Sequence, residues 1–212
     1  MRHDKATMNE QRRNLAIVGF LLPVLSILFG LPFLETNGPT FWYSISAMYY
    51  STSGDLMRGA LAVFGGYLLC YRGHDIGDSL TCKLSGVFAW GIVVFPCKCD
   101  AAGLKTGILQ LPTPLSHVIH CIFAALLFGS FAYMIGCRFT KGNKLITEEK
   151  ALRNTIYKVC ATIILVVMAL QVITSIFGWG WFTIINETIM LWAFSFAWAV
   201  KADMFKKFRD KD

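Results

Sequence analysis

Residues 155–177, TIYKVCATIILVVMALQVITSIF, and residues 179–200, WGWFTIINETIMLWAFSFAWAV, decide the class of fold. Their only charged side chains are Lys158 and Glu187. A bilayer core about 30 Å thick takes roughly 20 apolar residues per helix, and both stretches have that length and character. Four further runs of the same kind precede them, at 14–34, 56–71, 80–96 and 115–137. The run at 56–71 is the shortest and carries Arg58 near its start. The longest connection, 35–55, is too short to fold as an extramembrane domain. The sequence therefore predicts one all-α domain over 1–212, a polytopic transmembrane bundle of six helices. The aromatic stretch 40–50, which ends FWYSISAMYY, is too short to span and reads as an outer interfacial or re-entrant segment.

Composition agrees. The chain is 55% hydrophobic and 16% charged, where a soluble domain carries about 25% charge. That excludes both an ordinary water-soluble fold and a disordered chain. Orientation follows from the basic residues, because cytoplasmic loops of membrane proteins are enriched in Lys and Arg. With the N-terminus, the 72–83 turn, the 138–158 turn and the C-terminus on one side, that side holds 17 of the 20 Lys and Arg. Only Arg58, Lys98 and Lys105 fall on the other. Both termini are thus expected in the cytoplasm, with the chain in a cell membrane, plasma or bacterial inner. The net charge of +7 lies in short clusters at helix ends, which suits anionic head groups and not nucleic acid. Trp42, Tyr43, Tyr49, Tyr50, Trp179 and Trp181 fall at the outer boundary, where aromatic belts form. The first run is too long for a signal-peptide core and lacks an A-x-A site, so it is expected to be retained.

Ionisable groups inside spans are costly and mark candidate sites. His117 and His120 fall a few residues into the fourth span from its outer end, and Glu187 a similar distance into the sixth. Gln171, Thr174 and Ser175 are at comparable depth in the fifth. Asp55 and Glu35 stand at outer helix mouths, and Asp100 in the outer loop. If the faces bearing His117, His120 and Cys121 and bearing Thr183 and Glu187 meet, a carboxylate joins two imidazoles at one level. That grouping suits a metal site, zinc being the natural ion, or a proton relay, or an acid/base pair. Ser44 and Ser46, just above this level, are candidate nucleophiles or head-group contacts, and Tyr49 and Asp55 candidate ligand contacts. The alternative for the whole set is a hydrogen-bonded network that ties helices together. Cys97, Cys99 and Cys121 fall on the outer side, where a bridge to Cys121 is as reasonable as one between the first two. Cys70, Cys82, Cys137 and Cys160 fall on the cytoplasmic side as reduced thiols. At the cytoplasmic end, RGHDIGD (72–78) reads as a helix end at Gly73 followed by a new helix capped by Asp78. Lys201 reads as a lysine that snorkels to inner head groups.

Phe95-Pro96-Cys97-Lys98-Cys99-Asp100, then Ser116-His117-Val118-Ile119-His120 opening an apolar helix with Ala124-Ala125-Leu126-Leu127-Phe128, resembles uncharacterised six-span bacterial integral membrane proteins. Those are similar in turn to the DRAM-type six-span group. SISAMYYS (44–51) and AFSFAWAVK (193–201) extend the likeness. The resemblance implies a six-helix fold with a cytoplasmic N-terminus and no established activity, and it carries over to Pro96, Asp100, His117 and His120. The doubled cysteines of CKCD depart from the pattern. A second likeness, to intramembrane metal-dependent hydrolases of the alkaline ceramidase and adiponectin-receptor type, would need Glu187 in place of a ligand and a seventh span.

Three functions stand open on the sequence. The first is a non-catalytic membrane protein with an outer-half polar cavity for a lipid head group or small ligand, built from His117, His120, Glu187, Asp100, Gln171, Tyr49 and Asp55. The second is a small-solute or proton transporter or channel. The third is a metal-dependent lipid hydrolase or transferase using His117, His120 and Glu187, with Ser44 or Ser46 as nucleophile. Membrane lipids are the expected partners, with a second copy or another membrane protein as a further class.

Overall fold

The computed structural model describes residues 2–30, 44–98, 105–141, 147–205 and 208. Six α-helices account for most of them: α1 (Arg2–Gly30), α2 (Gly54–Cys70), α3 (Ile76–Val94), α4 (Thr113–Tyr133), α5 (Glu148–Ile176) and α6 (Phe182–Lys201). The all-α expectation holds. A 3-10 turn, Ser46–Tyr50, precedes α2, and a π-turn, Met134–Arg138, continues α4. The only strands among the described residues are Lys105–Thr106 (β1) and Leu111–Pro112 (β2), paired antiparallel with Lys105 opposite Pro112. Their hairpin turns through Gly107, at φ 72°, and leads into α4.

Each helix packs on its neighbours in sequence, and α1 closes the set by packing on α6. The result is a ring of six. Alternate helices send aromatic rings into its middle: Phe64 from α2, Phe131 from α4 and Phe194 from α6, with centroids 4.0 Å apart for Phe131 and Phe194 and 5.3 Å for Phe64 and Phe194. All three are sealed from solvent. Small residues let the helices approach. A Cβ on Gly19 of α1 would stand 2.6 Å from the Ser195 hydroxyl of α6, so this contact is closed to any larger side chain.

Outward faces are apolar, with Leu28, Val63, Val87, Val118, Leu165 and Val172 all more than half exposed or close to it. Among the described residues four helices are long and apolar enough to cross a membrane: Thr7–Gly30, Thr113–Arg138, Glu148–Ile176 and Phe182–Lys201. This is consistent with a membrane protein. Helix α2, at 17 residues, is shorter, and α3 contains Asp78 and Lys83.

Two helices begin well before their apolar runs. Helix α1 starts at Arg2 where the run starts at 14, and α5 starts at Glu148 where the run starts at 155. Hydropathy registers the apolar stretch, whereas the backbone ladder continues through polar residues until something stops it. For α5 that start is built locally: the Thr147 hydroxyl accepts from the Lys150 N–H at 3.2 Å, and Glu148 and Glu149 complement the positive helix end. The start of α3 differs from the expected one. The cap is Asp75, whose carboxylate accepts from the Asp78 N–H at 2.7 Å, and Asp78 reaches back to the His74 N–H at 3.3 Å. Two acids three apart form a reciprocal cap, and the later one is a poor guide to the helix start.

Candidate functional site

Glu187 stands one and a half turns into α6. Its carboxylate accepts from the Ser44 hydroxyl, 3.0 Å from both oxygens, from the Ser46 hydroxyl at 2.9 Å, and from the Ile45 N–H at 2.5 Å. The start of the Ser46–Tyr50 turn has free amides by its nature, and a carboxylate is the group that satisfies them best. Ser44 and Ile45 are buried by this contact. Next to it, Asn186 and Thr183 fasten α6 to α5. The Gln171 amide donates to Thr183 at 2.9 Å and accepts from the Asn186 amide at 2.8 Å.

The other end of the same 3-10 turn is held differently. The Tyr50 hydroxyl donates to the Cys97 carbonyl at 2.6 Å, the Ser116 hydroxyl to the Pro96 carbonyl at 2.7 Å, and His120 Nδ1 to the Phe95 carbonyl at 2.8 Å. Three successive carbonyls where α3 ends, left without helical partners, are each taken by a side chain. A carbonyl only accepts, so Nδ1 of His120 carries a proton, and in the neutral ring Nε2 is an acceptor. Nε2 has no partner among the described residues. His120 is buried and His117, one turn earlier, half-buried. Both nitrogens of His117 lie 3.7–3.8 Å from the exposed Cys121 sulfur.

The predicted residues thus form two groups joined by one segment. Glu187 belongs with Ser44 and Ser46. His117 and His120 belong with Cys121 and the end of α3. Residues 44–50 run from one group to the other, pinned by Glu187 at the start and by the Cys97 carbonyl at the end. Gln171 joins α5 to α6 and touches neither group. Tyr49 faces Arg58, whose guanidinium lies 4.4 Å over its ring and pairs with Asp55, itself exposed. Asp100 and Cys99 lie outside the described residues, and Cys121 is a free thiol. Among the described residues no three His, Cys, Asp or Glu side chains gather closely enough for a metal ion. Sequence reading passed over Ser116 and Asn186. Ser116 stands four residues before His120 on the same helix face, and Asn186 adjoins Glu187, so helical spacing from the named residues finds both.

At the opposite end of the bundle Arg138, at the close of the π-turn, donates through Nε to Asp78 at 2.7 Å and through Nη2 to Asp75. A Cβ on Gly77 would lie 2.7 Å from that Nη2, so glycine here makes room for the guanidinium. The Asp78 N–H and the Arg138 guanidinium together hold the Asp75 carboxyl below the usual carboxylate range. No protein-family model, curated protein or solved structure matches the chain.

Proposed function

We propose that the chain is a six-span integral membrane protein of the cell membrane, with both termini in the cytoplasm, whose outer half binds a lipid head group or small ligand. One observation carries the binding reading: a buried histidine, His120, has its Nδ1 proton committed to a backbone carbonyl and its Nε2 left without a partner. In the neutral ring Nε2 is an open acceptor, and a ligand hydroxyl or ammonium group is the donor that suits it. Half-buried His117 and the segment 44–50 frame the approach.

Support for six spans comes from the ring, since α2 and α3 occupy places in it alongside the four longer apolar helices. Support for the orientation is the basic count, 17 of 20 on one side. Binding is favoured over transport because hydroxyls in the other half are consumed within the bundle. Ser85 bonds Ser130 at 2.7 Å and Ser195 bonds the Leu191 carbonyl at 2.8 Å, so these hydroxyls are not open to a passing solute.

The test is native mass spectrometry of detergent-purified protein. Wild type is expected to retain a lipid or small molecule that His120→Phe releases. Equal retention by both overturns the site. Cysteine placed at Lys206 is expected to react with impermeant reagent only from the cytoplasmic side, and labelling from outside overturns the orientation.

A further inference from the structure

Where α6 ends, two cations stand on a layer of aromatic rings. Arg12 of α1 lies 6.0 Å over the Tyr71 ring, and the Lys201 ammonium lies 5.1 Å over Phe139 and 5.9 Å over Tyr157. Trp198 lies between, with its ring centroid 5.1 Å from both Tyr71 and Phe139. Trp198 is fully buried, and its indole N–H has no partner among the described residues.

Among the described residues neither cation forms an ion pair. Arg12 donates from Nε to the Tyr71 hydroxyl at 3.0 Å and from Nη1 to Asn9 at 2.9 Å and to the Lys201 carbonyl at 3.5 Å. All three acceptors are neutral, and Nη2 keeps two donors. The Lys201 ammonium has one long contact, 3.5 Å to the Phe139 carbonyl. The two described carboxylates whose charge reaches Lys201, Asp78 and Asp203, make their direct contacts to other groups. Asp78 accepts from Arg138, and Asp203 faces Asn9 at 3.4 Å and Arg153 at 4.0 Å. Both cations are half-buried, so they are reachable yet incompletely hydrated.

We propose that Arg12 and Lys201, on the Tyr71–Trp198–Phe139–Tyr157 layer, form a binding site for a phosphate anion. Two neighbouring cations with spare donors suit tetrahedral oxygens, and arginine and lysine supply complementary contacts, the fork and the point charge. The phosphate belongs to a phospholipid head group or to a free phosphate. The membrane reading enters only through the location of the site, the inner head-group region where basic pockets between helices collect anionic lipids. Binding measured in detergent is independent of it, so a failed topology assay leaves this proposal standing and the reverse holds too.

The experiment is thermal melting of the full chain in detergent, titrated separately with phosphatidylglycerol, phosphatidylcholine and inorganic phosphate. Phosphatidylglycerol is expected to raise Tm saturably. Arg12→Gln and Lys201→Gln are each expected to weaken that response by about tenfold, the scale of one charged hydrogen bond. Arg13→Gln, on an exposed neighbour, is expected to leave it unchanged. Protection by inorganic phosphate as well supports a free phosphate as the source, and protection by the lipids alone supports a head group. Lys201→Arg, which keeps the charge, is expected to keep binding even if the glutamine variants fold poorly. Loss of binding in Lys201→Arg, an unchanged response in folded glutamine variants, or no response to any probe overturns the proposal.

Discussion

Glu187 takes the Ser44 hydroxyl equally on both carboxylate oxygens, at 3.0 Å each, across 143 residues of chain. The contact fixes where residues 44–50 sit over the bundle. Glu187→Ala removes the acceptor for two hydroxyls and an amide, and is expected to lower stability by about 2 kcal/mol. Thermal unfolding in detergent reads this. Glu187→Gln keeps an acceptor and is expected to lose less.

The His120 tautomer is a direct consequence of its bond to the Phe95 carbonyl. Nitrogen-15 spectra of histidine-labelled protein at neutral pH are expected to show a protonated Nδ1 and a bare Nε2 for this residue. A bare Nδ1 would contradict the bond. His120→Leu leaves the carbonyl unpaired, and is expected to destabilise the fold by about 1–3 kcal/mol.

The contact of α1 with α6 has no spare room at Gly19. Gly19→Ala places a methyl against the Ser195 hydroxyl and is expected to cost about 1–3 kcal/mol in the same melting assay. Ser195→Ala removes the obstructing oxygen. The double variant is therefore expected to be more stable than the sum of the single losses implies, with a coupling of at least about 0.5 kcal/mol.

Asp75 links stability to acidity at the other end. Its carboxyl titrates below the ordinary value because the Asp78 N–H and then the Arg138 guanidinium favour the charged form. The folded state is thus the one that holds the proton less tightly. The stabilisation is present above the ordinary carboxylate pKa, about 3.9, and is lost as pH falls through the lower folded value. The difference in Tm between wild type and Asp75→Asn is expected to be constant from pH 7 to about 5 and to vanish in strong acid. A difference that persists at low pH would assign it to something besides charge.

The helices were legible because apolar length is written in composition, as in the runs that became α4 and α6. Their starts were not. Arg2 to Arg13 and Glu148 to Asn154 are polar yet helical, and only the Thr147 cap marks one of those ends locally. Ser44, Ser46 and Glu187 were each visible as polar residues at one depth. Their pairing with each other, in place of a pairing of Glu187 with His120, depends on which helices adjoin, and α4 has little contact with α6. The three carbonyls at 95–97 were invisible for another reason: backbone acceptors look alike in any sequence, and only the path of α3 brings them to Ser116, His120 and Tyr50. Arg12 and Lys201 illustrate the same limit, since 189 residues separate them.

The ring of helices is closed by its first member and its last. During synthesis at about 5–20 residues per second, α1 emerges roughly ten to forty seconds before α6 exists. Through that interval the helix carrying Gly19 lacks its permanent neighbour. A nascent chain halted after α5 would thus be an open arc with an unmatched seam, which the arrival of α6 closes.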